Sequence, residues 1–152
     1  MQPLNIEDVV HDVVSLVHSE ATSKHIALNL LMQPRLPRVL GDRVLLAQVL
    51  LNLLMNSIHA VQSCPFDARR IVVESRAQDA KGEVEVAVRD SGPGIPESIV
   101  DNVFKPFFTT TPEGMGMGLA LSRTIVEAHG GRLWIDITEK DGAIVRFSLR
   151  RA

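Results

Sequence analysis

Asn52 and Asn56 stand four residues apart inside an aliphatic run, and with Gln48 they place three amide side chains on one stripe of a helix. Each offers a neutral carbonyl oxygen, a hard ligand of the kind Mg²⁺ accepts while keeping its waters and substrate phosphates. The same amides would serve equally to bond local backbone groups. His59, one turn beyond Asn56, either touches the same ligand or is solvated. Asp90-Ser91-Gly92-Pro93-Gly94 directly follows a strand pattern. A carboxylate at a strand end accepts a hydrogen bond from an exocyclic amine, and nearby glycines let a flat ring approach the backbone. An ordinary tight turn uses the same residue types. Gly114-Met115-Gly116-Met117-Gly118 runs straight into a helix, so its N–H groups and the helix dipole suit phosphate oxygens. It lacks the Gly-Lys-Ser/Thr of a P-loop and the strand-to-helix spacing of a dinucleotide fingerprint; a flexible linker is the plain alternative. Phe104-Lys105-Pro106-Phe107-Phe108, followed by Thr109, Thr110 and Thr111, joins an apolar anchor to a polar, glycine-ended segment, as a hinged lid requires. Core packing explains the same three Phe residues.

These groups need a scaffold, and 152 residues at 45% hydrophobic suffice for a single domain over 1–152. A formal charge of −2 and 4% aromatics argue against a nucleic-acid partner or a direct hold on an acidic membrane. The lone cysteine, Cys64, excludes an internal disulfide framework and fits a reducing compartment. No basic segment followed by an apolar run opens the sequence, so no signal peptide is expected and the expected location is cytoplasmic. Val44 to Val61 reaches roughly the length of a membrane span, but an unpaired amide in hydrocarbon costs about 2–7 kcal/mol, which favours a soluble core helix with one polar stripe.

Helical spacing from Ile6, with Asn5 as cap and Leu4 as staple, predicts a helix over about 6–24. His25 to Met32 reads as a strand, and Asp42 caps the apolar helix that runs to about Ser63. Ile71 to Arg76 and Glu83 to Arg89 read as strands joined by a turn at 79–82. One short helix is expected near 96–102, and a helix over 119–128 closed by His129-Gly130-Gly131. A final hairpin pairs 132–138 with 143–149 around Asp141-Gly142. The mixture predicts an α+β fold, a two-layer α/β sandwich with helices on one face of a mixed sheet.

In this order and with these separations, the segments resemble the nucleotide-binding boxes of sensor histidine kinases, in the superfamily of gyrase, heat-shock chaperone, kinase and mismatch-repair ATPases. Asn52 to Asn56 looks like the N box, Asp90 to Gly94 the G1 box, Phe104 to Phe108 the F box, and Gly114 to Gly118 the G2 box. The run from Gly116 through Gly131 is similar to the subgroup of nitrogen- and oxygen-regulatory sensor kinases. The resemblance implies the Bergerat ATP-binding fold, with ATP and Mg²⁺ held between the helical layer and a lid at 104–118. It implies that Asn56 ligates the metal, that Asn52 supports the phosphate end and that Asp90 reads the adenine amine. His59, Gly92, Gly94, Ile95, Phe104, Thr110, Gly114, Met115, Gly116, Met117, Gly118 and Leu119 would complete the nucleotide site. The implied partners are a histidine phosphoacceptor on a dimerisation domain and the receiver domain of a response regulator.

The superfamily's ATPase branches carry a water-activating Glu where this chain has Asn52, and an amide cannot act as a general base, so efficient ATP hydrolysis is disfavoured. His11-Asp12 is a superficial match to a phosphoacceptor motif, but Val13, Val14 and Ser15 follow it with no proline nearby. Related sequences place Lys where Thr111 stands, removing one phosphate contact. Thr111→Lys is therefore expected to tighten ATP binding by about tenfold, the scale of one charged hydrogen bond. Titration calorimetry on both forms checks this, and equal affinity would refute it.

Overall fold

Ile6, Val9, Val10, Val13, Val17 and Ala21 share one side of α1 (Ile6–Ser23), and in the computed structural model all are buried. The structure describes residues 1–100, 102–104, 118–138 and 141–152. Helix α1 closes with a Schellman turn: His25 takes φ 57°, Ile26 N–H donates to the Ala21 carbonyl at 2.9 Å and His25 N–H to that of Thr22 at 3.1 Å. The His25 ring stacks on Phe66 with centroids 4.2 Å apart, which helps hold a left-handed conformation unfavourable for a residue with a Cβ.

The remaining elements are β1 (Gln2–Leu4), β2 (Ala27–Met32), β3 (Val39–Gly41), α2 (Arg43–Val61), β4 (Arg70–Gln78), β5 (Glu83–Asp90), α3 (Gly118–Ala128), β6 (Leu133–Ile135) and β7 (Ile144–Arg150). A five-stranded sheet has the order β2-β4-β5-β7-β6, with β2 parallel to β4 and every other pair antiparallel. Ile71 and Val73 of β4, Val84, Val86 and Val88 of β5, and Phe147 and Leu149 of β7 join the buried residues of all three helices in one core. The expected mixed sheet with helices on one face is thus observed. The opposite sheet face carries charge: Arg146 bridges Glu85 at 3.2 Å and Asp136 at 2.8 Å, Arg76 reaches Glu85 at 3.1 Å, and Arg89 reaches Glu74 at 3.1 Å. Charged residues in alternate register let that face meet water.

Three local expectations change. Asn5 sits at the cap position, but its side chain makes no capping bond; it is extended because β1 precedes it and pairs with β3, a small antiparallel sheet absent from the sequence reading. The helix expected at 96–102 resolves into two single turns of 3₁₀ geometry, Glu97–Ile99 and Asn102–Phe104. The last hairpin is shorter on its first arm. Asp136 Oδ1 accepts from both the N–H and the hydroxyl of Thr138, an Asx turn that ends β6 at Ile135. That turn and Arg146 hold the Asp136 carboxyl down at about 2.

Helix α2 is fixed at both ends. Asp42 Oδ1 accepts from Leu45 N–H at 3.0 Å, while Asp42 N–H donates to His129 Nε2 at 3.0 Å. His129, 4% exposed, gives its other nitrogen to the Ile125 carbonyl at 2.8 Å, so a neutral imidazole joins the end of α3 to the start of α2. At the far end Arg69 donates to the carbonyls of Gln62, Lys24 and Cys64 at 2.7, 2.8 and 3.0 Å, and lies 4.7 Å above the Phe66 ring. The last turn of α1 has no basic residue and that of α2 only His59, so one guanidinium serves both helix C-termini. Arg69→Met is expected to lower stability by about 2 kcal/mol, with Arg69→Lys recovering little because one ammonium cannot span three carbonyls. Urea denaturation midpoints measure both.

Candidate nucleotide site

The apolar side of α2 faces the sheet through Leu46, Val49, Leu50, Leu53, Leu54, Ile58 and Val61, which leaves the amide stripe turned toward α3. Gln48 donates to Asn52 Oδ1 at 2.8 Å, and Asn52 Nδ2 reaches the hydroxyl of Ser122 at 3.3 Å and the carbonyl of Gly118 at 3.5 Å. Ser122 is fully buried, so this contact ties α2 to α3. Asn56, one turn on, is exposed. A Cβ built on Gly118 would lie 3.8 Å from Cβ of Asn52 and from both terminal atoms of Asn56. The first residue of α3 and both asparagines therefore meet, placing the positive end of the α3 dipole beside the Asn56 amide oxygen.

The other end of the site is built around Asp90, the last residue of β5. It is 6% exposed, and its Oδ1 accepts from Gly92 N–H at 2.9 Å and Ala143 N–H at 3.3 Å. Ser91 locks the turn: its hydroxyl accepts from Arg70 N–H at 2.8 Å and donates to the Ala68 carbonyl at 2.6 Å. A Cβ on Gly92 would come within 2.9 Å of the Ala60 carbonyl oxygen, so only glycine lets the turn rest on the last turn of α2. At Gly142, φ 86°, a Cβ would fall 1.9 Å from the Asp90 carbonyl oxygen, so the β6–β7 connection also closes on this residue. Along α2, the Gly118 contacts at Asn52 and Asn56 and the Gly92 contact at Ala60 are separated by about 6–12 Å. An elongated ligand with an anionic end and a flat end matches that layout.

His59 is half-buried on the same helix, Gly94 takes φ 82° beside Gly142, and Ile95 is half-buried in the loop after it. The Phe104 ring packs under the Arg123 guanidinium at 4.9 Å, and Leu119 packs on the core. Thr110, Gly114, Met115, Gly116 and Met117 lie outside the described residues, as do Thr111 and the rest of 105–117. On the open side of the sheet a cavity of about 350 Å³ lies behind Asp90, lined by Arg70, Val72, Arg89 and Asp141; it borders neither asparagine. Sequence reasoning missed Ser57, Ser122 and Ala143. The two serines fall at buried phases of amphipathic helices, a readable signal, whereas Ala143 acts through its N–H and leaves none.

The donor set decides which metal fits. Among the described residues no group of three or more His, Cys, Asp or Glu side chains converges, so no all-protein cage is present. An exposed neutral amide at Asn56 suits Mg²⁺ carried in by a phosphorylated ligand. Burial pushes the Asp90 carboxyl up from 3.8, and hydrogen bonds from Gly92, Ala143 and Ser57 oppose that rise. A raised folded value means that the stability contribution is fully present below the ordinary carboxylate range and is lost as pH rises through the folded value. Asp90→Asn is thus expected to be more stable than the native chain at neutral pH, the difference vanishing in acid. Urea midpoints at the two pH values test the sign.

Comparison with known proteins places this geometry. Residues 41–152 match the model of the histidine kinase-, DNA gyrase B- and HSP90-like ATPase family. The chain is 36% identical to the sensor protein FixL of Bradyrhizobium diazoefficiens over 148 residues, 97% of this chain and 29% of FixL. The solved catalytic domain of the histidine kinase ThkA aligns with a TM-score of 0.86 at 31% identity, covering 99% of this chain and 95% of that one. ThkA has also been solved with the response regulator protein TrrA, where the match has a TM-score of 0.83 at 29% identity over 99% of this chain and 42% of that one. Full-length ShkA with AMPPNP matches at 0.85 and 28% over 99% of this chain and 31% of its own. The chain spans less than a third of the length of the curated relatives it matches, 15% of TmoS and 31% of ZraS among them. With the two asparagines of α2 facing the start of α3 and a buried aspartate at the end of β5, the chain belongs to the histidine kinase-, DNA gyrase B- and HSP90-like ATPase family, as the catalytic ATP-binding domain of a sensor histidine kinase.

Proposed function

We propose that this domain binds Mg-ATP along α2 and donates the γ-phosphoryl group to a histidine on a separate dimerisation domain, in a two-component system that passes the group on to a response-regulator receiver domain. The observation that carries the reading is the alignment of both asparagines with the start of α3 toward one end of α2, and of the turn that Asp90 anchors through Gly92 with Ala60 toward the other. Asn56 would hold the Mg²⁺, with Asn52 behind it at the phosphates and the Gly114 to Gly118 run covering them. The metal supplies charge neutralisation on the phosphate oxygens. In the transfer the bond from the γ-phosphorus to the bridging oxygen breaks, an N–P bond forms on the acceptor imidazole and ADP leaves.

This domain's own contribution is positioning. Asn52 is neutral and already bonded to Gln48 and Ser122, so it neither takes a proton from water nor swings freely, which favours transfer over hydrolysis. Asp90 accepts through Oδ1 from two backbone amides, leaving its second oxygen for the adenine amine. A nucleotide-sensing module without chemistry is the alternative that the same site allows if Thr111 leaves the lid short of a phosphate contact. Isothermal titration with Mg-ATP, then phosphotransfer to an added dimerisation domain, separates the two readings. Asn56→Ala and Asn56→Asp are expected to weaken Mg-ATP binding at least about tenfold with the circular-dichroism melt unchanged, since Asn56 is exposed. Retained binding would remove Asn56 as the metal ligand.

A further inference from the structure

Asn52 is held from two helices at once. Its Oδ1 accepts from Gln48 Nε2 at 2.8 Å, one turn back on α2. Its Nδ2 donates across to α3, to the Ser122 hydroxyl at 3.3 Å and the Gly118 carbonyl at 3.5 Å. The amide nitrogen thus faces α3 and the amide oxygen faces Gln48. A carbonyl can only accept, so the turned-over amide is disfavoured: it would set the Asn52 oxygen against the Gly118 oxygen. Ser122 is fully buried and Asn52 half-buried, which leaves water poorly placed to replace the α3 contacts. Gln48 is exposed and holds its end of the amide from the surface.

We propose that Gln48 and Ser122 are positioning residues of the phosphate end: gripping the Asn52 amide from opposite sides, they present it to the ligand in one orientation. The inference rests on the reading that Asn52 stands at the phosphates. The two ends of an amide have opposite polarity, since an N–H attracts a phosphate oxygen while a carbonyl oxygen repels it and attracts a metal or its water. An amide free to turn offers both, and binding must then also freeze its torsion. Tied at both ends, the Asn52 amide is fixed before the ligand arrives. Gly118 takes part through its backbone, so Gln48 and Ser122 are the two partners whose bonding group a substitution can remove. Gln48 is also the member of the α2 amide stripe for which the nucleotide reading has no other use; orienting Asn52 gives it one.

The test is a pair of double-mutant cycles on the 152-residue chain, read by titration calorimetry with Mg-ATP and with adenosine, a probe that has no phosphates. Gln48→Met keeps the length of the side chain and removes the donor; Ser122→Ala removes the hydroxyl. Each is expected to weaken Mg-ATP binding by about fivefold, the scale of one neutral hydrogen bond, and to leave adenosine affinity as in the native chain. Added to Asn52→Ala, which itself weakens Mg-ATP binding, neither substitution is expected to weaken it further, because the group that each one orients is gone. A purely structural role lowers Mg-ATP and adenosine affinities together, or keeps the fivefold loss in the Asn52→Ala background, and either result overturns the inference. Native Mg-ATP affinity in Gln48→Met or in Asn52→Ala overturns it too, while leaving nucleotide binding intact. Because Gln48 is exposed, its variants carry the test if Ser122→Ala does not fold. A native chain that does not bind Mg-ATP overturns the nucleotide reading itself, and this inference with it.

Discussion

Everything at the site depends on where α2 is held. One helix must bury an aliphatic face against the sheet while offering amides to a ligand, and a half-turn rotation about its axis would exchange the two. The structure prevents that by fixing both ends with polar contacts. The Asp42 and His129 pair fixes the start, and Arg69 gathers the free carbonyls at the finish. With the ends set, Asn52 must meet Ser122, Asn56 must meet Gly118, and Ala60 must meet Gly92. Those three contacts define the trough.

The fixing groups are also what make the site dry at one end and open at the other. Asp90 sits beneath a turn whose two glycines permit backbone-to-backbone approach at distances no side chain tolerates. Its carboxyl is therefore costly to ionise, and the cost is met by directed N–H and O–H donors rather than by a basic residue. Asn56 lies at the exposed end, where a metal can arrive with its waters. Stability and recognition pull Asp90 in opposite directions, a conflict expected at functional sites.

What could be read before the fold was known follows from how each residue acts. Asp42 as a cap, the periodicity of α1 and α2, the buried strands and the order of the asparagine, aspartate and glycine segments are properties of side chains at fixed spacing. They were legible. The β1–β3 pair was not, because three-residue strands are too short to show alternation, and Gln2-Pro3-Leu4 carries no strand signature. The Asx turn at Asp136 shortened β6 through a side-chain bond that competes with the ladder, and sequence periodicity has no means to register that competition. Ala143 reaches Asp90 from 53 residues away through a backbone amide, which every residue but proline possesses. A contact of that kind leaves no trace in residue type.

The formal charge of −2 acquires a specific meaning from this arrangement. A triphosphate is strongly anionic, and the obvious way to hold it would be a cluster of lysines or arginines. Here several arginines are committed elsewhere: Arg76, Arg89 and Arg146 pair with carboxylates on the open face of the sheet, and Arg69 with helix carbonyls. In the function proposed, the phosphate end would be left to neutral amides, the positive end of α3 and a metal that comes with the ligand. Neutral donors hold a fixed direction and do not repel the metal, whereas a lysine at Asn56 would compete with Mg²⁺ for the same oxygens. Phosphoryl transfer asks mainly for position and for charge neutralised at the moment of transfer, so a site poor in fixed positive charge but rich in oriented dipoles is matched to it. The ion pairs that suit the open sheet face to water therefore also hold Arg76, Arg89 and Arg146 on the side of the sheet away from the helices.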